Sequence, residues 1–408
     1  MRTGLLIAGG LLALVGCWVF ANLQGGFLPW FLLYAVAVLM VGEMATAWLA
    51  MRGVAVERRL SARRLTGGQP LTVEVTVRRS RRWPFLWWRT ADGVPADWIY
   101  GEGPLEMPGQ HLCLPLWRRT WTFTYRIPKL PRGVHTLTGV SVEAGDLFGL
   151  VTRHRHVNVH DEVVVYPQVV PVQGWTGHRP EERGMQQATR RRSEESSNVI
   201  GVRDYTPGDR LSRVHWPATA RRGVLQAKEF ELHVTGQMAF LPDLSRGSFA
   251  AGDRSAFELE MVIAASLIKH VSDLKRPYSA LFHREGLTVL GPGVDEALLL
   301  RCLYELALAK PEGAVPFPDT LRRVVQEIPA GTTLVVISPN VGREAAVAAD
   351  LARRRVRVEW FVPWTGAAPG DRAGWAALTA AGVPLHPIRS PEQLSTLRPG
   401  GIGDAAPV

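Results

Sequence analysis

The segment from Asn198 to Glu231 holds the densest group of side chains that could do chemistry. Guanidinium and carboxylate groups alternate in it, and His215 and Trp216 follow within a few residues. A guanidinium can hold a carboxylate through two parallel hydrogen bonds, so such pairs fix local geometry. His215 near Asp209 could also form an acid–base pair, but no recognisable nucleophile motif accompanies it. We therefore interpret the histidine as a hydrogen-bonded packing element.

Sequence motifs of common enzyme classes are missing from the chain. It has no P-loop, no glycine-rich dinucleotide fingerprint after a strand, no G-x-S-x-G and no H-E-x-x-H. Cys17, Cys113 and Cys302 are far apart and form no C-x-x-C pair. This spacing argues against a structural zinc site and a disulfide scaffold, and it fits a reducing compartment. We predict that the protein is not an enzyme and that its thiols are small buried apolar groups.

The polar segment resembles the signature of the bacterial "domain of unknown function 58" family, approximately R-x-Y-x-x-G-D-x-x-R-x-x-x-W-x-x-x-A-R. Leu130–Leu137 (LPRGVHTL) and Gly145–Val151 (GDLFGLV) resemble two upstream motifs of the family, with Leu147 in place of the usual proline. With His215, the signature residues are our candidates for binding a partner, although they could instead knit the preceding segment to a sheet. They are Arg203, Tyr205, Gly208, Asp209, Arg213, Trp216 and Arg221, while Ala220 matches the signature without being a candidate.

The resemblance implies a role without implying a reaction. Members of this family look like membrane-tethered proteins encoded beside MoxR-type AAA+ ATPases. The expectation is a membrane-anchored, cytoplasm-facing scaffold or co-chaperone that works with such an ATPase in the assembly or maturation of other proteins. Client proteins and a transglutaminase-like membrane protein are further candidate partners. The alternative is a membrane-associated hydrolase in which the cluster from Arg203 to Arg221 holds an anionic substrate.

The resemblance also implies that the C-terminal part is a von Willebrand factor A-like domain, which holds a divalent metal through D-x-S-x-S after its first strand. Asp243 and Ser245 match this pattern, Gly247 replaces the second serine, and Ser248 comes one place late. A later aspartate is also missing, since Ser338 stands at its place. Because Mg²⁺ prefers several hard oxygen ligands, we predict a degenerate, structural site without a cofactor.

The pattern of elements independently favours an α/β domain over residues 199–400. Short apolar strands alternate with helices, an order typical of a mainly parallel, doubly wound sheet. Such a sheet binds ligands at the carboxyl ends of its strands. Strands are predicted at 237–244, 278–283, 287–290, 332–338, 355–362 and 383–388. Helices are predicted at 255–274, 295–310, 319–328, 342–353 and 371–381.

Two apolar runs open the chain, Gly4–Ala21 and Phe27–Met51. A bilayer core needs about 20 apolar residues per helix, and arginines flank the pair of runs on the side that the positive-inside rule places in the cytoplasm. We predict a transmembrane helical hairpin at 1–53, with the lipid bilayer as a partner. The expected location is the plasma membrane, with two spans and cytoplasmic soluble domains. A signal peptide is less favoured because a second apolar run follows at once.

Residues 54–170 alternate apolar and polar side chains and predict a small antiparallel β-sandwich. Within them, Arg78–Arg89 interleaves arginine with tryptophan, which suits a lipid-proximal surface, ordinary packing or a protein partner better than nucleic acid. A flexible linker is predicted at 171–198 and a disordered tail at 401–408. The formal net charge of +10 suits an anionic partner, and we expect no nucleic acid.

Overall fold

The computed structural model divides into two compact units, Met1–Tyr166 and Pro167–Val408. The residues it describes are 2–49, 51–80, 82, 86–94, 110–146, 152–175, 177, 199–206, 214–230, 237–249, 254–353, 356–364 and 372–397. Most of the predicted linker and the whole predicted tail lie outside these ranges, as do Gly208, Asp209 and Arg213.

Two helices open the first unit, α1 (Arg2–Gln24) and α2 (Phe27–Leu49). Among the residues that the structure describes, no helix combines the length and the apolar character that crossing a bilayer requires. The predicted transmembrane hairpin at 1–53 is therefore wrong, and so is the two-span plasma-membrane location that followed from it.

Strands form the rest of the first unit. They are β1 (Ala55–Leu60), β2 (Arg64–Thr66), β3 (Leu71–Arg78), β4 (Leu86–Gly93), β5 (Gln110–Cys113), β6 (Thr120–Ile127), β7 (Gly133–Asp146), β8 (Thr152–Val157) and β9 (Asp161–Tyr166). One sheet has the order β1-β3-β6, and the other has the order β2-β9-β7-β4-β5 with β8 also paired to β7. Both sheets contribute to one hydrophobic core, in which Trp88 and Trp121 meet edge to face at 4.9 Å between ring centroids.

A buried ion pair ties the strands of the first unit together. Arg58 donates from Nε to Asp92 at 3.0 Å, and its Nη2 contacts the other oxygen of the same carboxylate. Its Nη1 donates to the carbonyls of Leu137 at 3.2 Å and Val159 at 3.1 Å. The Tyr125 hydroxyl donates to Asp92 at 2.6 Å. Both charged side chains are fully shielded from solvent. Removal of either one would therefore leave the other charge buried without a counter-ion.

The second unit combines a small hairpin with an α/β layer structure. The hairpin is β10 (Val199–Asp204) and β11 (Gln226–Phe230), with helix α3 (Trp216–Arg222) between them. The later strands are β12 (Met238–Pro242), β13 (Tyr278–His283), β14 (Leu287–Gly293), β15 (Thr333–Ile337), β16 (Arg357–Pro363) and β17 (Leu385–Ile388). The later helices are α4 (Arg254–Asp273), α5 (Glu296–Leu308), α6 (Phe317–Glu327), α7 (Arg343–Arg353) and α8 (Arg372–Ala380).

The main sheet of this unit has the order β14-β13-β12-β15-β16-β17. Neighbouring strands are parallel except β13 and β14, which are antiparallel. Helices α4 and α5 cover one face of the sheet, and α6, α7 and α8 cover the other. Strands β12, β13 and β15 are buried along their whole length, which explains their nearly continuous apolar sequences. The winding reverses at β12 and β15, so their carboxyl ends form the switch point of the sheet.

Residues at the start of the predicted linker belong to the core of the second unit. Trp175 is 4% exposed, and its Nε1 donates to Glu359 Oε2 at 2.7 Å. Its ring meets Phe361 edge to face at 5.6 Å between centroids. His386 stacks on the same Phe361 ring at 4.5 Å. The chain is therefore fixed to the sheet at Trp175, where the composition predicted flexibility.

Candidate functional site

Asp243 and Ser338 meet at the carboxyl edge of the sheet. Asp243 directly follows β12, and Ser338 directly follows β15. The two strands are parallel neighbours with Pro242 opposite Ile337. The residues that follow them, Asp243 and Ser338, must therefore lie side by side. The Ser338 hydroxyl accordingly donates to Asp243 Oδ2 at 2.7 Å. This edge is where open α/β sheets bind ligands.

The Asp243 carboxylate is fully buried and is occupied by internal hydrogen bonds. Besides the bond from Ser338, its Oδ1 accepts the backbone N–H of Ser245 at 2.8 Å, and the Ser248 hydroxyl also bonds to the carboxylate. The backbone N–H of Asp243 donates in turn to Glu260 Oε1, on a second fully buried carboxylate. Burial raises the pKa of Asp243 from 3.8 to about 6, although the surrounding hydrogen bonds lower it.

A cavity of about 700 Å³ lies at this edge, and Ser245, Ser248 and Asn340 contribute to its lining. The connection from α5 to α6 forms another wall, because Ser245 and Gly313 pair as a short parallel bridge. A Cβ at Gly313 would lie 2.8 Å from the Leu244 carbonyl oxygen, so only glycine permits this approach. The formal charges in the lining balance; they come from Arg246, Arg343, Glu312 and Glu344.

The residues at this edge do not fit the Mg²⁺ ion of von Willebrand factor A-like domains. Both oxygens of Asp243 already accept hydrogen bonds from the protein. Gly247 stands where a second serine ligand is expected, and the Asn340 backbone N–H donates to the Ser338 hydroxyl at 2.9 Å. Within the part of the chain that the structure describes, no three His, Cys, Asp or Glu side chains form a metal-binding group. Mg²⁺ requires several hard oxygen ligands around one ion. Here the carboxylate oxygens are instead held in hydrogen bonds within the protein.

The described signature residues lie on the β10–β11 hairpin and α3. Arg203 pairs with Ala227 across the hairpin through the backbone, and the Tyr205 N–H donates to the Leu225 carbonyl at 3.0 Å. Trp216 is the first residue of α3 and is 62% exposed. Arg221 and Ala220 follow on the same helix. Gly208, Asp209 and Arg213 lie outside the described residues, and so does the alternative acid–base pairing of Asp209 with His215.

His215 is the N-cap of α3, and its ring is committed to that role. Its Nδ1 accepts the backbone N–H of Ala218 at 3.1 Å. A neutral imidazole has one acceptor nitrogen, so the ring carries its proton on Nε2 and has no lone pair left to accept a proton from a substrate. This geometry supports the packing interpretation of His215 and disfavours its use as a general base.

A pocket of about 390 Å³ next to α3 includes two polar residues that the sequence did not single out, Arg222 and Gln226. Arg222 Nη1 donates to Gln226 Oε1 at 3.4 Å, and the Gln226 amide donates to Asp204 Oδ1. The sequence carried a signal for α3 itself, because His215 can cap a helix, Pro217 suits its first turn and Gly223 suits its end. Gly223 indeed has a φ of 69° at the C-cap.

Comparison with known proteins finds one protein family whose match lies within the second unit. Residues 201–359 match the family described as "Protein of unknown function DUF58". The "Uncharacterized protein YeaD" of Bacillus subtilis (strain 168) is 30% identical over 258 residues, which cover 62% of this chain and 61% of that protein. The chain thus aligns with less than two thirds of the length of this relative.

Two solved structures are similar to parts of the chain at low scores. The CARDB domain of the PF1109 protein from Pyrococcus furiosus has a TM-score of 0.19 and 13% identity, covering 28% of this chain and 91% of that chain. Cwp6 from Clostridium difficile has a TM-score of 0.16 and 8% identity, covering 82% of this chain and 49% of that chain. Scores this low carry no argument about fold or function.

Proposed function

We propose a scaffold function for this chain, which belongs to the DUF58 family of proteins of unknown function. In this proposal it is a non-catalytic scaffold or co-chaperone for a MoxR-type AAA+ ATPase, and together they assemble or mature other proteins. The chain contacts its partner through the signature surface, which we define as Trp216, Arg221, Arg222, Val224 and Leu225.

The exposure of Trp216 is the observation that most supports this proposal. Its side chain is 62% exposed, and Val224 and Leu225 are 60% and 40% exposed. Arg221 and Arg222 are exposed on the same helix. Tryptophan and arginine dominate the binding energy of protein interfaces, and clustered apolar side chains at a surface mark interaction sites. A signature that only knitted the chain together would bury its tryptophan.

The signature surface is also held rigidly, which favours binding. His215 caps the start of α3, and at the end of α3 the Gly223 N–H donates to the Thr219 carbonyl at 2.8 Å. The Thr219 hydroxyl accepts the backbone N–H of Gln226 at 3.0 Å and so fixes α3 to β11. A surface that is ordered before binding loses less conformational entropy when a partner docks.

Calorimetric titration of the full chain with the MoxR-type AAA+ ATPase of the same organism, with and without ATP, tests the proposal. We expect binding in at least one nucleotide state. Trp216→Ala should weaken it by about 30-fold, the equivalent of the roughly 2 kcal/mol of an interface hot spot, and Arg221→Glu should weaken it comparably. Leu274→Ala is the matched control, because Leu274 is 50% exposed in the same unit but lies outside the signature surface.

Two results would contradict the proposal. One is the absence of binding in both nucleotide states. The other is binding that Trp216→Ala and Leu274→Ala leave equally strong. Circular dichroism of each variant excludes misfolding as the cause of a loss.

A further inference from the structure

The first unit carries a separate exposed apolar surface that the proposed function does not use. It centres on the Leu–Trp turn, which we define as Leu112, Leu114, Leu116 and Trp117. These side chains are 67%, 57%, 55% and 64% exposed, respectively. Isolated exposed leucines need no explanation, but a contiguous group of large apolar side chains indicates an interaction site.

Arg79 holds the turn in this outward arrangement. Its Nε donates to the Arg118 carbonyl at 2.9 Å, and its Nη2 contacts the Leu116 carbonyl. Its backbone N–H donates to the Arg119 carbonyl at 2.8 Å. Arg79 is only 6% exposed, and burial of a guanidinium is costly unless it is hydrogen-bonded. The fold therefore uses a buried charge to fix the backbone of an apolar turn.

The backbone of the turn is strained at Leu116. Its φ of +48° lies in the left-handed region, where a bulky side chain is rare. Such a residue persists only where its surroundings enforce it, and residues of this kind cluster at functional sites. Strain at Leu116 and the bonds from Arg79 together indicate that the outward display of the leucines and Trp117 is built into the fold.

A groove of about 580 Å³ lies next to the turn on the outer face of β4 and β5. Gly145 of β7 helps to form it, because a Cβ there would lie 2.5 Å from the Trp87 ring. The missing side chain lets that ring lie against β7. The groove is lined by Trp87, Arg89, Leu112, Leu114 and Glu143.

The positive charges around this apolar surface indicate the kind of partner that it fits. Arg89, Arg118 and Arg119 are exposed around the apolar centre. Glu143 Oε2 lies 3.9 Å from Arg89 Nη1, and this single carboxylate offsets only part of the positive charge of the three arginines. A sheet face of this kind is commonly covered by an amphipathic helix, whose side chains enter a groove one turn after another. A lipid surface offers no projecting side chains to fill the groove.

We infer that the Leu–Trp turn and the adjoining groove dock an amphipathic helix of a partner protein, with acidic residues flanking the apolar face of that helix. This inference is independent of the ATPase partnership proposed above, since it rests on other residues in the other unit.

Fluorescence anisotropy with the full chain and two labelled synthetic peptides tests this inference. Both peptides carry leucine at helical spacing, one with glutamate and the other with lysine at the remaining positions. The glutamate peptide should bind at least tenfold more tightly, and Trp117→Ser should weaken it at least tenfold, as expected for an interface anchor. The double variant Arg118→Glu/Arg119→Glu should reverse the preference and favour the lysine peptide. Val347→Ser, at a residue 55% exposed in the other unit, is the control.

Each other outcome overturns the inference. Equal binding of the two peptides, or binding that Trp117→Ser leaves unchanged, excludes the docking of an acidic helix at this surface. Vesicles of phosphatidylglycerol form a third arm of the experiment. Vesicle binding that depends on Trp117, without binding of the glutamate peptide, would assign the surface to lipid instead.

Discussion

A change of pH should act on the second unit through two buried groups with opposite effects. Burial raises the pKa of Asp243 from 3.8 to about 6 and lowers the pKa of His386 from 6.5 to about 4. Folded Asp243 keeps a proton that the unfolded chain has released, so its contribution to stability is lost as the pH rises from 3.8 to about 6. Folded His386 is neutral where the unfolded chain is protonated, so its contribution is lost as the pH falls from 6.5 to about 4.

The two contributions are similar in size. One pKa unit corresponds to about 1.4 kcal/mol, so each group contributes about 3 kcal/mol across its window. They nearly cancel in the native protein. Replacement of one group should therefore reveal the other: from about pH 4 to about pH 7, Asp243→Asn should gain about 3 kcal/mol of unfolding free energy, and His386→Phe should lose about 3 kcal/mol.

Hydrogen exchange in graded urea measures this effect, with the peptides that cover β12 and β15 reporting the unfolding free energy of the unit. Asp319→Asn is the control, because the Asp319 side chain is 49% exposed and so lacks the burial on which the effect depends. If the curves of the native protein and Asp243→Asn stay parallel across the pH range, the raised pKa of Asp243 is refuted. A flat curve for His386→Phe would refute the cancellation.

Arg58→Met should destabilise the first unit by about 3–5 kcal/mol in urea unfolding because it leaves the Asp92 carboxylate buried without its counter-ion, whereas the double variant Arg58→Met/Asp92→Leu should recover most of that loss. Equal losses in the two variants would contradict this account. Gly145→Ala should push the Trp87 ring away from β7 and weaken binding of the glutamate peptide at least tenfold; unchanged anisotropy would show that the groove needs no such close approach. Millimolar Mg²⁺ should shift the unfolding temperature of the second unit by less than about 1 °C because the oxygens of Asp243 are already bonded, and a saturable stabilisation would contradict that.

The buried strands and helices of the second unit could be predicted closely from the sequence. The predicted strand at 278–283 coincides with β13, and the helix predicted at 255–274 lies at Arg254–Asp273. Strands buried on both faces appear as continuous apolar runs, and their boundaries are marked by charged residues. The prediction was poorer where apolar side chains occupy both faces of a strand. Residues 86–93 form β4, yet the half-buried Trp87 beside the buried Trp88 hid the alternation.

The candidate site shows a similar division between local and long-range information. Asp243 and Ser245 could be singled out because they lie in one short turn, and the structure joins them by a hydrogen bond. Glu260 was missed, although a glutamate among the apolar residues of a helix was a visible signal. Gly313 carried no signal at all, because its role depends on how closely the α5–α6 connection approaches Leu244. Contacts of that kind follow from the register of distant elements, which a single sequence does not contain.

Asp243, His215 and Arg79 all make hydrogen bonds within the protein, but the segments that they hold in place differ. Asp243 bonds inward to the turn after β12 and to Ser338, so its carboxylate fixes the relative position of two loops. His215 and Arg79 also bond inward, to backbone atoms, but each fixes a segment whose aromatic side chain stays in solvent. An exposed tryptophan gains nothing from burial in the unbound protein, so its ordered exposure favours a role in binding. This is why our two proposals place the recognition surfaces at Trp216 and Trp117 and not at the carboxyl edge of the sheet.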